Sequence, residues 1–433
     1  MNRILIKMLT GLFCVVAIQS HAQVAIALSL DSAINYAIDH NRTLINSRLA
    51  IDKSTEKIRE TVAQGLPQVS ASMDYTNYLG AEASFSFSEG MPAQTIAFNP
   101  TSNFKASVSQ LVFNGSYYVG VQLSKLAKTI TEQSYQKDEL NLKEQTIQAY
   151  YAVLVTDKLL NIMKANRENA LMMFEKTSNL ANAGVVEQTD PKKLSIMVTT
   201  IDNAIKSMER QLEMGYNLLR LQLGLESGQE IQLTTNLDEL SQKCMLNQAV
   251  DQPFDIGKNL DYKLVSMQGD IAAKQILLKE SSYLPTLAAY YTRTEKIQKA
   301  KFDLTPNNVL GLSLNIPIYS SGLRKAQVSQ AKIDLDVSNN TKELLSQQLS
   351  MQEKQLRFNY NNLLEQYRNQ QKNVLVAKEV LEKMKLKYQQ GVISSLELTS
   401  ANNDYLTAES NSAGNLLQLM NAELALRKIN NNL

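Results

Sequence analysis

The sequence predicts a mainly α chain with membrane β-strands, built from two matching halves. Three observations predict it. From Leu323 to Gln390 there is neither a glycine nor a proline, so at about 1.5 Å per residue one helix can extend roughly 100 Å. Two pairs of short alternating segments each follow a Leu-Pro, at Leu66-Pro67 and Leu284-Pro285. Short blocks recur in the same order at nearly constant spacing, as expected of an internal duplication.

The chain opens with Arg3 and Lys7, an apolar run from Met8 to Ile18, and small residues at Ser20 and Ala22. This is the pattern of a secretory signal peptide over 1-22, cleaved after Ala22. Cys14 is preceded by Gly11, Leu12 and Phe13, and the bulky phenylalanine argues against a lipid anchor. No run is long and apolar enough for a membrane helix. A membrane-spanning part must therefore be built of strands.

Composition narrows the chemistry. After cleavage, Cys244 and His40 are the only residues of their kinds, which excludes an intrachain disulfide framework, a Cys/His metal cluster and most histidine-based nucleophilic catalysis. Lysine and arginine number 44 against 42 acids, and their even dispersion lacks the basic stripe of a nucleic-acid binder. With 16 glycines and 8 prolines in 433 residues, the composition is that of long helices.

The repeat is read from three blocks. Asn41 to Met73 aligns on Asn259 to Tyr291 at an offset of 218, which pairs the two Leu-Pro steps. Val112-Phe113-Asn114-Gly115 aligns on Ile318-Tyr319-Ser320-Ser321 at 206, and Gly184-Val185-Val186 on Gly391-Val392-Ile393 at 207. The change in offset places about a dozen extra residues in the Ser/Phe/Gly-rich stretch Gly80 to Asn103, where a hairpin loop is expected. The first repeat is assigned to 23-225 and the second to 258-433, with an irregular connector over 226-257.

Within each repeat the order is helix, strand, loop, strand, long helix, turn, helix. Strands are expected over about 68-79, 103-113, 286-295 and 308-319. Leu310, Leu312, Leu314, Ile316 and Ile318 alternate with Val309, Gly311, Ser313 and Asn315, the period of a membrane barrel strand. Phe104, Ala106, Val108 and Val112 share a face with Gln110 as its exception, and Val69, Ala71, Met73 and Tyr75 form the matching face. Long helices are expected over about 116-180 and 322-390, and return helices over about 190-223 and 396-428. The second long helix carries heptads from Leu356 through Tyr360, Leu363, Tyr367, Val374, Ala377, Leu381 and Met384 to Tyr388, interrupted only by Gln370. A 3.5-residue period implies left-handed packing against neighbouring helices. Gly184 and Gly391 stand where C-capping glycines belong.

Taken together, Leu28 through Ala33 leading to Asn41, the two Leu-Pro steps, Gln110 through Gly115, Pro317 through Gly322, the turn glycines and Leu218 through Gly224 resemble the TolC family of outer-membrane factors. The resemblance covers essentially the whole mature chain. It implies a long α-helical coiled-coil barrel joined to a transmembrane β-barrel, internally duplicated and completed by trimerisation. It further implies passive conduction across the outer membrane in a tripartite efflux or type I secretion system, with a periplasmic adaptor and an inner-membrane pump as partners. Four strands with two open edges independently require some oligomer in lipid.

The same resemblance marks the helical tips as the functional site. Gly184, Val185 and Val186, and Gly391, Val392 and Ile393, are the expected adaptor-contact turns. Tyr388 falls where the family often has a gate tyrosine, and is equally the next core position of its heptad. Ile393 and Ser400 stand where well-studied members carry an arginine and a second acid, which departs from a salt-bridged lock. Asp190 and Glu397 would form an acidic collar in a symmetric assembly, with pKa values raised by like-charge repulsion; each is also an ordinary acid at a helix N-terminus. No cofactor, metal or nucleic acid is expected, and no catalytic constellation is visible. A periplasmic coiled-coil adaptor or scaffold subunit is the alternative from a different class.

Overall fold

The computed structural model describes residues 26–85, 94–246, 253–300 and 303–433. The expected signal peptide and the expected lack of a lipid anchor at Cys14 lie outside the described residues. In order the elements are β1 (Ile26–Leu28), α1 (Leu30–His40), α2 (Arg42–Ala63), β2 (Gln68–Thr76), β3 (Glu82–Phe85), β4 (Gln94–Ala97), β5 (Thr101–Asn114), α3 (Gly115–Asn182) and α4 (Thr189–Leu223). There follow β6 (Ile231–Leu233), α5 (Leu237–Met245), α6 (Leu260–Ser281), β7 (Thr286–Gln298), β8 (Asn308–Asn315), α7 (Leu323–Gln389) and α8 (Ser395–Ile429). No helix among the described residues is long and apolar enough to cross a membrane.

The helices come in matched sets. α2 and α6 have 22 residues each, α3 and α7 have 68 and 67, and α4 and α8 have 35 each. Each long helix is flanked along its length by two shorter ones, because a return helix and a short helix meet end to end. Asn41 makes the first joint. Its Oδ1 accepts from the N–H groups of Thr43 and Leu44 at the start of α2, while its Nδ2 donates to the Gln222 carbonyl at the end of α4, at 2.8 Å. Asn259 repeats the joint, accepting from Asp261 and Tyr262 of α6 and donating to Ile429 O at the end of α8, at 3.0 Å. Both asparagines are buried, so each supplies partners to helix-end groups that water does not reach. The C-terminal pole of one helix also faces the N-terminal pole of the next, which the macrodipoles favour.

Gly224 finishes the first joint. It ends α4 in the left-handed conformation, φ +70°, and a Cβ there would lie 2.3 Å from the carbonyl oxygen of His40. Backbone conformation and close approach both demand glycine.

The sheet has the order β2-β5-β7-β8, all antiparallel. Register places Val69 opposite Val108, Val108 opposite Tyr291, and Tyr291 opposite Leu310; Met73 opposes Phe104, and Ala289 opposes Leu312. These residues share one exposed face, on which Leu310 and Leu312 are 82% and 73% accessible. The opposite face carries Ser70, Ser107 and Thr292 in one row and Ser72, Lys105 and Thr294 in the next. There the Ser107 and Thr292 hydroxyls are 3.0 Å apart, and Lys105 pairs with Asp74 at 2.7 Å. An apolar exposed face backed by a polar one is the division a membrane strand requires. Gln110, the polar exception on the apolar face, donates to Gly65 O at 2.6 Å at the end of the α2 turn.

Three local expectations are corrected. A register shift between Leu111 and Phe113 makes Val112 a bulge, so Phe113 rather than Val112 continues the apolar row opposite Leu287. β8 stops at Asn315 instead of about 319, because its partner β7 begins at Thr286, just after Pro285; as an edge strand it has no second neighbour among the described residues to hold it further. The stretch expected as a loop between Gly80 and Asn103 contains β3 and β4, which pair from Glu82 with Ala97 to Phe85 with Gln94. The irregular connector also acquires structure: β6 pairs in parallel with β1, and Leu237 and Cys244 of α5 join a core with Tyr151, Tyr360, Leu419 and Met420.

Asn41→Ala and Asn259→Ala are each expected to lower stability by about 1–2 kcal/mol. Asn41→Asp keeps the acceptor but loses the donor to Gln222, so its loss in a denaturation series followed by circular dichroism falls between wild type and Asn41→Ala.

Candidate functional site at the helical tips

Both long helices end in the same way. Gly184 and Gly391 have φ +77° and +73°. In the first tip Gly184 N–H donates to Ala181 O and Val185 N–H to Leu180 O; in the second Gly391 N–H donates to Tyr388 O and Val392 N–H to Lys387 O. This is the Schellman arrangement, in which a left-handed glycine lets the last carbonyls find donors. The reversal leaves Val185 and Val392 68% and 67% accessible. The residues after them differ: Val186 and Ile393 are half-buried, and Ile393 packs with Leu381, Leu398 and Tyr388. Only the first apolar residue of each turn is therefore presented outward.

Two hydrogen bonds tie the tips to each other. Ser395 Oγ, at the first residue of α8, donates to Asp190 Oδ1 at 2.6 Å. The Tyr388 hydroxyl lies 3.0 Å from Thr177 Oγ1 on α3. Ser395 and Thr177 are buried, so both bonds are largely shielded from competing water. Burial raises the Tyr388 phenol above its ordinary range, with the Thr177 bond opposing the shift and the charge of Asp190 adding to it. Between the tips lies a cavity of about 970 Å3 bordered by Met172, Met173, Leu180, Val186, Tyr388 and Ile393.

Glu397 has a different role from Asp190. Its Oε2 accepts from Ser394 N–H at 2.8 Å and from Ser394 Oγ at 3.0 Å, and Glu397 N–H donates back to Ser394 Oγ. This is a reciprocal capping box of the Ser-x-x-Glu pattern. The hydrogen bonds from Ser394 backbone and side chain hold the carboxyl below the usual glutamate range. Ser400 is exposed on α8. Thr177 and Ser395 were not foreseen as site residues; a hydroxyl in a heptad carries no pattern that reveals its partner two hundred residues away.

Among the described residues no group of three or more His, Cys, Asp or Glu side chains is arranged for a metal. Cys244 is buried, and burial with the nearby Glu423 pushes its thiol well above the ordinary range, which leaves it a poor nucleophile.

A depressed Glu397 pKa stabilises the α8 start fully above the unfolded glutamate value of about 4.3. That contribution is lost as pH falls through the lower folded value. Hydrogen exchange at the first turn of α8 is expected to accelerate on acidification below about pH 4, and Glu397→Gln is expected to remove most of that pH dependence.

The family described as outer membrane efflux protein matches residues 33–224 and 265–432. The outer membrane protein TolC of Escherichia coli (strain K12) is 26% identical over 315 residues, covering 67% of this chain and 59% of that protein. TolC of Salmonella enteritidis is 25% identical over 304 residues with the same coverage, so the chain spans under two thirds of these relatives' length. Among solved structures, CusC superimposes with a TM-score of 0.73 at 16% identity, over 92% of this chain and 91% of that one. The Campylobacter jejuni CmeC outer membrane channel gives 0.72 at 14% identity, over 93% and 85%. Identities this low speak for the fold, which is that of long-helix channels with a β-domain; the match to both halves shows that the chain belongs to the outer membrane efflux protein family.

Proposed function

We propose that this protein is the outer-membrane exit duct of a tripartite efflux or type I secretion system, passively conducting solutes across periplasm and outer membrane. The observation that carries the reading is the four-stranded sheet, apolar and exposed on one face and polar on the other, continuous with helices long enough to cross a periplasm. Among the described residues its edge strands β2 and β8 have no second neighbour. Unpaired edges are not tolerated in hydrocarbon, so copies of the chain must close the sheet into a barrel; family likeness supports three.

The helical layer supports the same closure. α2 packs on α3, α3 on α6, and α6 on α7, so α2 and α7 are open edges standing beneath β2 and β8. Along α7, Val337, Leu344, Met351 and Phe358 recur every seven residues and are each more than half exposed. Leu49 on α2 and Met214 and Leu221 on α4 are exposed on the other side. Edge stripes of this kind fit a seam between neighbouring copies.

The tips are read as the periplasmic entrance. Asp190, Tyr388 and Glu397 lie around it, with hydroxyl bonds in place of a salt-bridged lock, and Val185 and Val392 offer exposed apolar contacts to a periplasmic adaptor. An acidic collar would rest on Asp190, since Glu397 is committed to its cap. An inner-membrane pump supplies the energy. The adaptor alternative is disfavoured by the two strand pairs, which a single coiled-coil hairpin has no use for.

Purified from outer membranes, the protein is expected to cross-link as a trimer and to show small single-channel conductance. Tyr388→Phe combined with Asp190→Asn should raise that conductance several-fold by loosening the tips; a monomer that never inserts overturns the duct. Val185→Asp with Val392→Asp should abolish adaptor co-purification while leaving the trimer intact. The chain contains no tryptophan, so Leu312→Trp gives a unique fluorophore. Its emission is expected to be quenched by brominated lipid if the apolar face meets the bilayer.

A further inference from the structure

The helical layer just beneath the sheet has two sides, and side-chain contacts tell them apart. Phe113 belongs to the apolar row of the sheet opposite Leu287, and its ring centroid lies 6.2 Å from that of Tyr118, so Tyr118 marks the apolar side of α3. Thr61 of α2 meets Ser124 and Ser281 of α6 meets Ser116, each hydroxyl pair 3.0 Å apart, which sets α2 on one flank of α3 and α6 on the other. At about 100° per residue, Gly120, Leu123, Ala127 and Thr131 lie about 140–220° around α3 from Tyr118. They face the other side, which continues the polar face of the sheet.

On that side lies a groove of about 780 Å3, with Leu123 and Ala127 in its floor, Lys53 and Lys57 of α2 on one wall, and Ile271 and Gln275 of α6 on the other. The two walls are equivalent positions of the repeats, since the offset of 218 pairs Lys53 with Ile271 and Lys57 with Gln275. One wall is therefore basic and the other uncharged. Glu60 pairs with Lys57 at 2.8 Å and Glu56 with Arg59 at 2.5 Å, whereas Lys53 has no ion-pair partner among the described residues. Small residues hollow the floor. A Cβ built on Gly120 meets nothing within 4 Å, so no close packing calls for glycine there, and Ala127 is exposed. At the offset of 206 the second repeat has Ala326 and Ile333 at these two positions and Ser329 in place of Leu123. The duplicated fold does not itself require an apolar hollow here.

We propose that this groove is a resting site for amphipathic acids, solutes with a drug-sized apolar body and one anionic group. Its volume falls in the range of small-molecule sites, roughly 300–1,000 Å3. The floor takes the apolar body, and the methylene stem of Lys53 extends that surface while its ammonium stays at the wet rim. Lys53 selects the anion, because Glu56 and Glu60 are already matched by their own partners and a cationic solute would meet an unopposed like charge. That the groove lies on a conduction path rests on the duct reading; binding in it does not.

Photolabelling of the full assembly in detergent with 4-benzoylbenzoate, an anionic benzophenone, tests the site without transport. Peptide mass spectrometry is expected to place the label on Leu123, Ala127 and Ile271 and not on Tyr118, with the matching stretch 326–337 of α7 at background. Lys53→Glu should cut the labelling about tenfold and Lys53→Arg should retain it. Ala127→Phe, which fills the floor from an exposed position, should reduce it as strongly. A benzophenone carrying a trimethylammonium group in place of the carboxylate should label the wild type about fivefold less, and Lys53→Glu should reverse that order. Label spread equally over both sides of α3, or unchanged by Ala127→Phe, overturns the groove as a site. Label unchanged by Lys53→Glu, or equal for the cation, overturns its preference for acids. In single-channel recordings the same acid should partly block the wild-type current, and Lys53→Glu should relieve the block. Labelling without block overturns the place of the groove on the path. A chain that never conducts defeats the duct reading alone, since the labelling result stands by itself.

Discussion

Two buried asparagines hold the architecture to its length. A helix of 68 residues needs flanking support along all of it, yet among the described residues no second helix matches it except its own repeat. The fold instead splices a 35-residue return helix to a 22-residue short helix at Asn41, and repeats the splice at Asn259. Each splice turns two helix ends, which would otherwise leave polar groups buried and unpaired, into one nearly continuous column. Without it the return helix and the short helix would not line up as one flank of the long helix.

Above the splices, strand order and helix order are one constraint seen twice. β2 continues from α2, β5 runs into α3, α6 runs into β7, and β8 leads to α7. The sheet order β2-β5-β7-β8 therefore sets the helices beneath it in the order α2, α3, α6, α7. Asn114 marks the tightest junction, capping α3 through Tyr117 N–H while its amide donates to Thr286 of the neighbouring strand. Open edges in the sheet consequently sit over open edges in the helical layer, and both carry exposed apolar residues.

Much of this was legible in the sequence because it is periodic. Alternation at Leu310 to Leu314 and heptads at Tyr360 to Tyr388 each report which face is covered, and the collinear offsets report the duplication. What escaped depends on partners rather than period. The bulge at Val112 and the early end of β8 follow from where the neighbouring strand begins. The connector, with its short β6 and α5, becomes structured because β1 and the long helices offer it a surface. At the tips, Gly184 and Gly391 announced their turns and Glu397 its helix N-terminus, but Ser395 and Thr177 acquire meaning only once the halves stand side by side. Gln370 was visible as a flaw in the heptad; its partner, the Ala408 carbonyl of α8, was not.

The splices also determine where the chain enters and leaves each column. α8 ends at Ile429 against Asn259, and β1 pairs with the connector strand β6. Both ends of the described chain thus lie at the waist, far from the sheet and far from the tips. A chain leaving Ile429 or entering Ile26 therefore does so at mid-height, clear of the sheet and of the helical tips.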